Sequence, residues 1–218
     1  MLESLDAERL LAHRCLFGGG TAIVLAHGEY RESADIDFIV SSLPGYRELR
    51  AMINSNGISA MMIRPLPLRR EARIDQYGIR CAFDIDDMPI KFEIVFEGRI
   101  ELADPLPEQR IDGIWTLTAA DQVATKLMAN SDRWADDSVW SRDLLDLAML
   151  TEDGNLDADG IGKAERAYGE SVFSDFEKAR TRLLERPGRL ATCMARLQMT
   201  MLEVDLRTRI ERLRIRRS

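Results

Sequence analysis

Cysteine and histidine are scarce in this chain, and their scarcity argues against several kinds of functional site. The three cysteines, Cys15, Cys81 and Cys193, lie far apart and form no C-x-x-C pair, which argues against a disulfide framework and a zinc site. Neither of the two histidines, His13 and His27, stands in a motif that supports a Ser-His-Asp triad. We expect the cysteines to be small buried hydrophobic residues in a reducing, cytoplasmic setting.

Long apolar runs are also missing. No segment approaches the roughly 18 consecutive apolar residues of a membrane-spanning helix. The chain starts with Met-Leu-Glu-Ser-Leu-Asp, which is acidic and lacks the apolar core of a signal peptide. The sequence therefore predicts no membrane partner and a cytoplasmic location.

Positive charge is in deficit overall but concentrated at one end. The net charge is −7, which disfavours a protein that coats nucleic acid in general. Residues 207–217 nevertheless contain six Arg and one Glu. Such a segment fits either a solvated helix end, favoured by the helix dipole, or a contact with an RNA backbone.

The organisation of the chain changes near its middle. Its 218 residues suit one large domain or two small ones, and 45% hydrophobic residues is a globular composition. The clearest break is Asp-Pro-Leu-Pro at residues 104–107, after which strand-like patterns disappear. We predict an α+β protein, with a mixed sheet and flanking helices in residues 1–106 and an all-helical domain in residues 107–218.

Hydrophobic periodicity locates the main elements. Residues 35–40 predict one strand, and residues 79–85 and 90–96 predict the two strands of a hairpin. Residues 58–63 are β-prone or mixed, and residues 64–70 predict a loop. The helices predicted in the second half cover residues 119–130, 141–150, 160–167, 174–184 and 189–215. The apolar stripe of the last one fits core packing or an oligomer interface.

The first of two D-x-D motifs is a candidate metal site. Asp35 and Asp37 share one face of their predicted strand, with Cα atoms about 6.5 Å apart. Two carboxylates at that distance repel each other unless a cation lies between them, and both can reach a Mg²⁺ ion. Ile36 and Phe38 point to the opposite face, which we expect to be core.

The preceding sequence distinguishes this pair from the second D-x-D motif. Asp84 and Asp86 run directly into a turn, where aspartate is favoured, and we interpret them as exposed hairpin residues. Before the first pair, the segment Gly18-Gly19-Gly20-Thr21 opens a helix. Glycines allow backbone N–H groups to approach a phosphate, and a helix N-terminus offers free donors. Thr21 fits either a phosphate contact or a plain helix cap.

A third carboxylate occurs on the second strand of the predicted hairpin. Its apolar residues line one face, whereas Lys91 and Glu93 share the opposite face. A single carboxylate on such a strand fits either an exposed polar face or a further metal ligand.

Taken in order, these motifs resemble a known superfamily. The chain carries, in sequence, Gly19-Gly20-Thr21, a short helix, Arg31-x-Ser33-x-Asp35-x-Asp37-Phe38, the Lys91-x-Glu93 strand, a helix with Lys126, and Arg142-Asp143-x-x-Asp146. This order is similar to that of the nucleotidyltransferase superfamily and, within it, the AbiEii/AbiGii-type toxin family, over residues 16–150. Two features depart from the pattern: the third carboxylate is Glu rather than Asp, and an extra helix begins the chain.

The resemblance implies a nucleotidyltransferase-like fold for the N-terminal domain and a role for each motif. The residues that it implies for nucleotide binding are Gly19, Gly20, Thr21, Ser33 and Lys126. The residues that it implies for catalysis are Asp35, Asp37, Glu93 and Asp143. The first three would also bind metal, and Asp143 would act as a general base or as a positioning residue. Arg31 would shape the pocket, and Arg142 and Asp146 would hold their helix against the metal domain, so that the helical domain completes a cleft. Asp143 and Asp146 at i, i+3 also fit an ordinary structural ion pair.

The implied function is Mg²⁺-dependent transfer of a nucleotide from an NTP, with pyrophosphate release and two metal ions. The implied acceptor is tRNA or a protein, and the chain would be the toxin of a toxin–antitoxin or abortive-infection system with a cognate antitoxin. Two alternatives stay open. One is a small-molecule nucleotidyltransferase of the antibiotic-modifying kind, which an assay against aminoglycosides would reveal. The other is a non-catalytic NTP-binding component, against which the retained acidic pair argues.

Overall fold

The computed structural model of the protein describes residues 1–216. Arg217, the last basic residue of the C-terminal run, therefore lies outside the described residues. Internal contacts group the chain into two compact units: Met1–Ala22 with Ala34–Thr118, and Ile23–Ser33 with the residues from Ala119 onward. We expected the domain boundary between residues 106 and 107, whereas the contacts change units between residues 118 and 119. The domain boundary stays a prediction.

The first unit is built on a five-stranded mixed sheet. Its strands are β1 (Cys15–Gly18), β2 (Ile36–Val40), β3 (Leu68–Ile74), β4 (Gly78–Ile85) and β5 (Met88–Phe96), in the order β1-β2-β5-β4-β3. Only β2 and β5 run parallel among these neighbours; the other pairs are antiparallel. The helices that begin in this unit are α1 (Ala7–Ala12), α2 (Gly19–Ala26) and α3 (Leu43–Asn56). A two-stranded ribbon follows the sheet, formed by β6 (Arg110–Ile111) and β7 (Ile114–Trp115).

The two faces of this sheet differ in polarity. The apolar face is fully buried, with Phe38, Phe83, Phe92 and Ile94 at most 1% exposed, and Phe38 packs on Phe92 with ring centroids 5.6 Å apart. Helix α3 contributes Tyr46 and further apolar residues to the same core. Because side chains alternate along a strand, Asp37, Arg80 and Glu93 lie on the other face, which we call the polar face although Ile39 and Ala82 also lie on it.

The predicted hairpin is confirmed. Strands β4 and β5 pair from Gly78 opposite Val95 to Ile85 opposite Met88, so that two residues form the connection. These residues, Asp86 and Asp87, have φ values of 50° and 63°. Positive φ at both positions matches a type I′ turn, whose twist suits a hairpin and in which Asp is tolerated.

Three local expectations in this unit are wrong. The predicted loop at residues 64–70 leads into β3, whose exposed, arginine-rich sequence lacks the alternation that marks a half-buried strand. Of the two options for residues 58–63, β-prone or mixed, the strand is wrong, because the segment contains a short 3-10 helix, Ile58–Met61. Strands also continue past residue 107, as the β6–β7 ribbon.

From residue 119 onward, the second unit consists of helices joined by turns and loops. Its helices are α4 (Ala119–Arg133), α5 (Arg142–Met149), α6 (Ala158–Tyr168), α7 (Ser171–Glu185), α8 (Arg189–Arg196) and α9 (Glu203–Arg212). The single long helix predicted for residues 189–215 is wrong, because the backbone turns away after α8. There the Glu32 N–H donates to the Leu197 carbonyl and the Thr200 N–H to the Tyr30 carbonyl, at 2.9 and 3.1 Å. These hydrogen bonds to the segment after α2 replace helical ones.

One expected feature of composition is also seen in the fold. The cysteines are buried and unpaired, as expected. Burial raises the pKa of Cys15 above its usual range and that of Cys81 to about 12, so both thiols stay protonated at neutral pH. Among residues 1–216, no helix is both long and apolar enough to cross a bilayer.

Candidate active site

The candidate site begins with two carboxylates on neighbouring strands. Asp37 of β2 lies opposite Glu93 of β5 in the parallel register, and opposite Gly18 of β1 on its other side. Residues at paired positions share a face, and neighbouring strands lie about 4.8 Å apart. Asp37 and Glu93 are therefore side by side on the polar face, where their charges repel unless a cation is close.

Gly19 lets the Asp37 carboxylate lie against the start of α2. It has a φ of 69°, a conformation that favours glycine. A Cβ atom there would lie 2.5 Å from Oδ2 of Asp37 and 2.7 Å from its Cβ. The position consequently requires glycine for both space and conformation, and it places a carboxylate beside the helix end that carries free N–H donors.

Thr21 holds the backbone of the residue that precedes strand β2. Its side chain is 5% exposed and its hydroxyl donates to the backbone carbonyl of Asp35. Asp35 comes directly before β2, one residue outside the strand. With its proton engaged, the Thr21 hydroxyl fixes the backbone that carries Asp35. Nucleotide binding by Thr21 and its neighbours Gly19 and Gly20 stays a prediction.

Cationic side chains neutralise part of this acidic group. Nζ of Lys91 lies 3.6 Å from Oδ2 of Asp35, and Nε of Arg80 lies 2.6 Å from Oε1 of Glu93. Both pairs reach solvent, since the Asp35 and Glu93 side chains are 47% and 32% exposed. Within residues 1–216, no three Asp, Glu, His or Cys side chains are gathered closely enough to hold a metal ion. The carboxylate oxygens nevertheless suit Mg²⁺, which prefers oxygen ligands. Metal binding by Asp35, Asp37 and Glu93 stays a prediction.

The other predicted residues belong to the second unit and form a buried ionic network. Asp146 is fully buried and accepts from Arg31 through both carboxylate oxygens, at 2.7 and 2.9 Å. The Tyr30 hydroxyl donates to the same carboxylate at 2.7 Å, and Nζ of Lys126 lies 2.6 Å from it. The Arg-Asp-x-x-Asp motif therefore supplies the centre of an ion cluster.

Asp143 completes this network. Both of its oxygens accept from Arg133, at 2.6 and 2.8 Å, and one also accepts from Lys126 at 3.1 Å. Burial alone would raise the pKa of Asp143, but the charges and hydrogen bonds of Lys126 and Arg133 outweigh it and hold the pKa below its usual range. A carboxylate this firmly engaged is a weak proton acceptor, so the geometry favours a positioning role over a general base.

The network also bears on Lys126, Arg142 and Ser33. Lys126 bonds two carboxylates and its side chain is 7% exposed, so its charge is already balanced inside the unit. Arg142 forms no ion pair within residues 1–216. Ser33 ends the short segment that the second unit takes from the N-terminal half. Nucleotide binding by Lys126 and Ser33 stays a prediction.

One group of residues near the carboxylates was missed in the sequence. The register continues from Glu93 to Arg80 of β4 and from there to Arg73 of β3, so two arginines extend the row that starts at Asp37. The available signal was the cluster of Arg69, Arg70 and Arg73, which the loop interpretation concealed.

Comparison with known proteins supports both the fold and the family. A family model described as the nucleotidyl transferase AbiEii toxin of a type IV toxin–antitoxin system matches residues 2–213. The crystal structure of JHP933 from Helicobacter pylori is 18% identical, covers 94% of this chain and 85% of that one, and has a TM-score of 0.50. A second H. pylori structure, titled as a candidate nucleotidyltransferase, is 17% identical, covers 94% and 88%, and has a TM-score of 0.48. The likeness to JHP933 bears on the fold alone, and the predicted α+β fold is confirmed. No curated protein matches this chain.

Proposed function

Because this chain belongs to the AbiEii nucleotidyltransferase toxin family, we propose that it transfers a nucleotide from an NTP to an acceptor, tRNA or a protein, as the toxin of a toxin–antitoxin pair. A cognate antitoxin is the partner that this family membership implies. The observation that carries the proposal is the position of Asp37. It lies between the glycine that begins α2 and the carboxylate of Glu93.

The start of α2 is suited to the triphosphate. Gly19 and Gly20 offer backbone N–H groups that no helical carbonyl accepts, and such groups bind phosphate oxygens. The Gly19 backbone and the Asp37 carboxylate are in contact distance, so a phosphate held there lies beside the acidic pair. This arrangement binds and orients the NTP.

The residues that would hold Mg²⁺ are Asp35, Asp37 and Glu93. When bound, Mg²⁺ would neutralise charge on the transferred phosphate and on the departing pyrophosphate. In the transfer, an acceptor oxygen or nitrogen bonds to the α-phosphorus as the bond to the β-phosphate oxygen breaks. The acceptor's proton passes to a carboxylate of the Asp37–Glu93 pair. Positioning and charge compensation are the main tasks of the protein in such chemistry.

In our proposal, the buried network stabilises the second unit and takes no direct part in the transfer. Asp143 and Lys126 act as positioning residues that fix α4 and α5 in the second unit, since their charges satisfy each other at 3.1 Å. Of the two roles that the resemblance implies for Asp143, general base or positioning residue, we therefore propose the second, and we propose that Lys126 holds the same helices instead of binding phosphate.

A labelling experiment tests the proposal. Each α-³²P-labelled NTP is incubated with the protein, Mg²⁺ and either tRNA or a protein extract, and label on the acceptor is measured. We expect transfer by the wild type and at least a 10²–10³-fold loss in Asp37→Asn, comparable with removing one strong electrostatic group. Asp86→Asn is the matched control, because Asp86 lies in the second D-x-D motif and in a turn that accepts Asn.

Three outcomes would count against the proposal. Equal labelling by folded wild type and folded Asp37→Asn would show that Asp37 does not belong to the active site. Label on small cationic molecules such as aminoglycosides instead of macromolecules would favour an antibiotic-modifying enzyme. Absence of label with every NTP and acceptor would favour a non-catalytic component.

A further inference from the structure

Arg80 of β4 contacts two carboxylates at once. Its Nε atom lies 2.6 Å from Oε1 of Glu93, and its Nη1 atom donates to Oδ2 of Asp75 at 3.2 Å. Glu93 is a predicted metal ligand, whereas Asp75 lies in the turn between β3 and β4. One guanidinium therefore connects the candidate metal site to a carboxylate outside it.

The backbone of the turn holds the Asp75 carboxylate in place. The N–H groups of Tyr77 and Gly78 donate to its Oδ1 atom at 2.8 and 3.0 Å, which is a side-chain-to-backbone turn typical of aspartate. Because Oδ1 is engaged with the backbone, Oδ2 is the oxygen that contacts Arg80. Asp75 is therefore a fixed second partner for the guanidinium.

Gly78 leaves space for the guanidinium beside this turn. It stands two residues before Arg80 on β4, so the two positions share one face of the sheet. A Cβ atom at Gly78 would lie 3.1 Å from Nη2 of Arg80 and 3.3 Å from its Cζ. The guanidinium consequently lies over a part of the backbone that carries no side chain, between Glu93 and Asp75.

Arg80 occupies an oxygen of a carboxylate that the metal ion would need. Asp37 and Glu93 stand opposite each other on neighbouring strands and repel each other unless a cation is close, and Arg80 supplies one at Glu93. A divalent ion bound to Glu93 would repel a guanidinium at the same carboxylate. Since the Arg80 side chain is 41% exposed, exchanging one solvent-accessible partner for another costs little.

We propose that Arg80 is a built-in competitor of the metal ion at Glu93, and that Asp75 is a positioning residue that draws the guanidinium away when the metal binds. The inference rests on the proposed function and adds two residues that determine how readily the metal site fills. Neither residue belongs to the motifs that resemble the nucleotidyltransferase superfamily. Arg80 compensates the charge of Glu93 before the metal arrives, and Asp75 keeps this compensation reversible.

Mn²⁺ binding without NTP, measured by calorimetry in a double-mutant cycle, tests the inference. Asp75→Asn removes the charge that contacts Arg80 but keeps an oxygen for the N–H groups of Tyr77 and Gly78. We expect it to weaken Mn²⁺ binding by about three- to fivefold, near the upper value of one exposed ion pair, because Arg80 then has Glu93 as its remaining carboxylate partner. In an Arg80→Gln background, the same substitution should change the affinity by less than about twofold, the usual error of such a cycle.

Asp84→Asn is the matched control for the loss of a negative charge. Asp84 pairs with Arg69 at 3.0 Å, and its side chain is 26% exposed, compared with 31% for Asp75. Because its partner is Arg69 instead of Arg80, we expect Asp84→Asn to bind Mn²⁺ as the wild type does. Asp37→Asn should lose the binding, which assigns the measured ion to the candidate site.

Three outcomes would overturn the inference. The first is an Asp75→Asn variant that binds Mn²⁺ at least as tightly as the wild type. The second is an equal weakening by Asp75→Asn with and without Arg80, which would reduce the role of Asp75 to its own charge. The third is a wild type without Mn²⁺ binding that depends on Asp37.

The labelling experiment judges the proposed function separately. If the cycle gives the expected pattern but no NTP yields label, the transfer proposal fails and the competition between Arg80 and the metal stands. If label is transferred but Asp75→Asn acts equally in both backgrounds, the transfer proposal stands and the role of Asp75 and Arg80 fails.

Discussion

The two units use the same kinds of charged residue in opposite environments. On the polar face of the sheet, the ion pairs of Asp35 and Glu93 are open to solvent, and the paired Lys91 and Arg80 side chains are 76% and 41% exposed. In the helical unit, Asp146 and its partner Arg31 are 0% and 3% exposed. Motifs of both kinds resemble parts of one family pattern, yet only the first group is accessible to a substrate.

Burial determines how easily a charged side chain can exchange its partner for a ligand. An exposed ion pair contributes about 0–1 kcal/mol, so its members can exchange partners with a ligand at little cost. A buried pair resists such exchange, because removing one member leaves a desolvated charge. We therefore assign chemistry to the sheet face and stability to the network around Asp146.

The largest expected effect is loss of stability when the network loses its centre. Asp146→Ala leaves Arg31 and Lys126 as buried charges without their shared carboxylate, so we expect the free energy of unfolding to fall by about 3–5 kcal/mol. Denaturant unfolding measures this change. Asp84→Ala, which breaks the exposed pair with Arg69, is the control and should cost at most about 1 kcal/mol. A similar fall in the free energy of unfolding in both variants would show that the buried and the exposed ion pairs contribute equally to stability.

The second largest expected effect is a loss of stability at acidic pH, caused by protonation of the same network. Opposing the effect of burial, the charges and hydrogen bonds of Lys126, Arg31 and Arg133 lower the pKa values of Asp143 and Asp146 in the folded protein. Their stabilisation is thus fully present above the unfolded-state pKa of about 3.9 and is lost as the pH falls through the folded values. We expect a loss on the order of 1–3 kcal/mol below about pH 4, measured by thermal unfolding.

Asp143→Asn provides the control for this pH dependence. Because its side chain has no proton to gain, the variant should be less stable at neutral pH but should lose less stability on acidification. An acid-induced loss as steep as that of the wild type would place the titrating groups elsewhere.

The smallest expected effect concerns the exposed face. Arg80→Gln removes the cation that contacts Glu93 and frees this carboxylate for a metal ion, so Mn²⁺ should bind more tightly, by up to about fivefold, the value of one exposed pair. Calorimetry without NTP measures this affinity. Arg69→Gln breaks a similar exposed pair at Asp84 and should leave it unchanged. Weaker Mn²⁺ binding in Arg80→Gln would show that Arg80 does not compete for Glu93.

Much of the fold could be predicted because local patterns and tertiary structure agree. The β4–β5 hairpin follows from alternating residues around Asp86 and Asp87, and the fold class from strands followed by helices. The strand β3 could not, because its exposed arginines carry no alternation. The break between α8 and α9 depends on hydrogen bonds from residues more than 160 positions away, which a local pattern does not contain.

The sequence offers candidate site residues but not the surroundings of their side chains. The resemblance groups Asp37 with Glu93 as metal ligands, but the sequence reveals neither the parallel pairing of their strands nor the contact of Arg80 with Glu93. Likewise, Asp143 and Lys126 stand at positions typical of the family, while their burial and mutual bonding depend on how α4 and α5 pack. Burial and partners are properties of the folded chain, so they had to come from the structure.

The most direct test compares nucleotide transfer per folded molecule in Asp37→Asn and Asp143→Asn, with thermal unfolding recorded for both. Our account predicts that Asp37→Asn loses transfer by at least about 10²–10³-fold at unchanged melting temperature. It also predicts that Asp143→Asn melts earlier and keeps nearly the wild-type rate in its folded fraction. A folded Asp143→Asn without transfer, alongside an active Asp37→Asn, would contradict the assignment of chemistry to the sheet face.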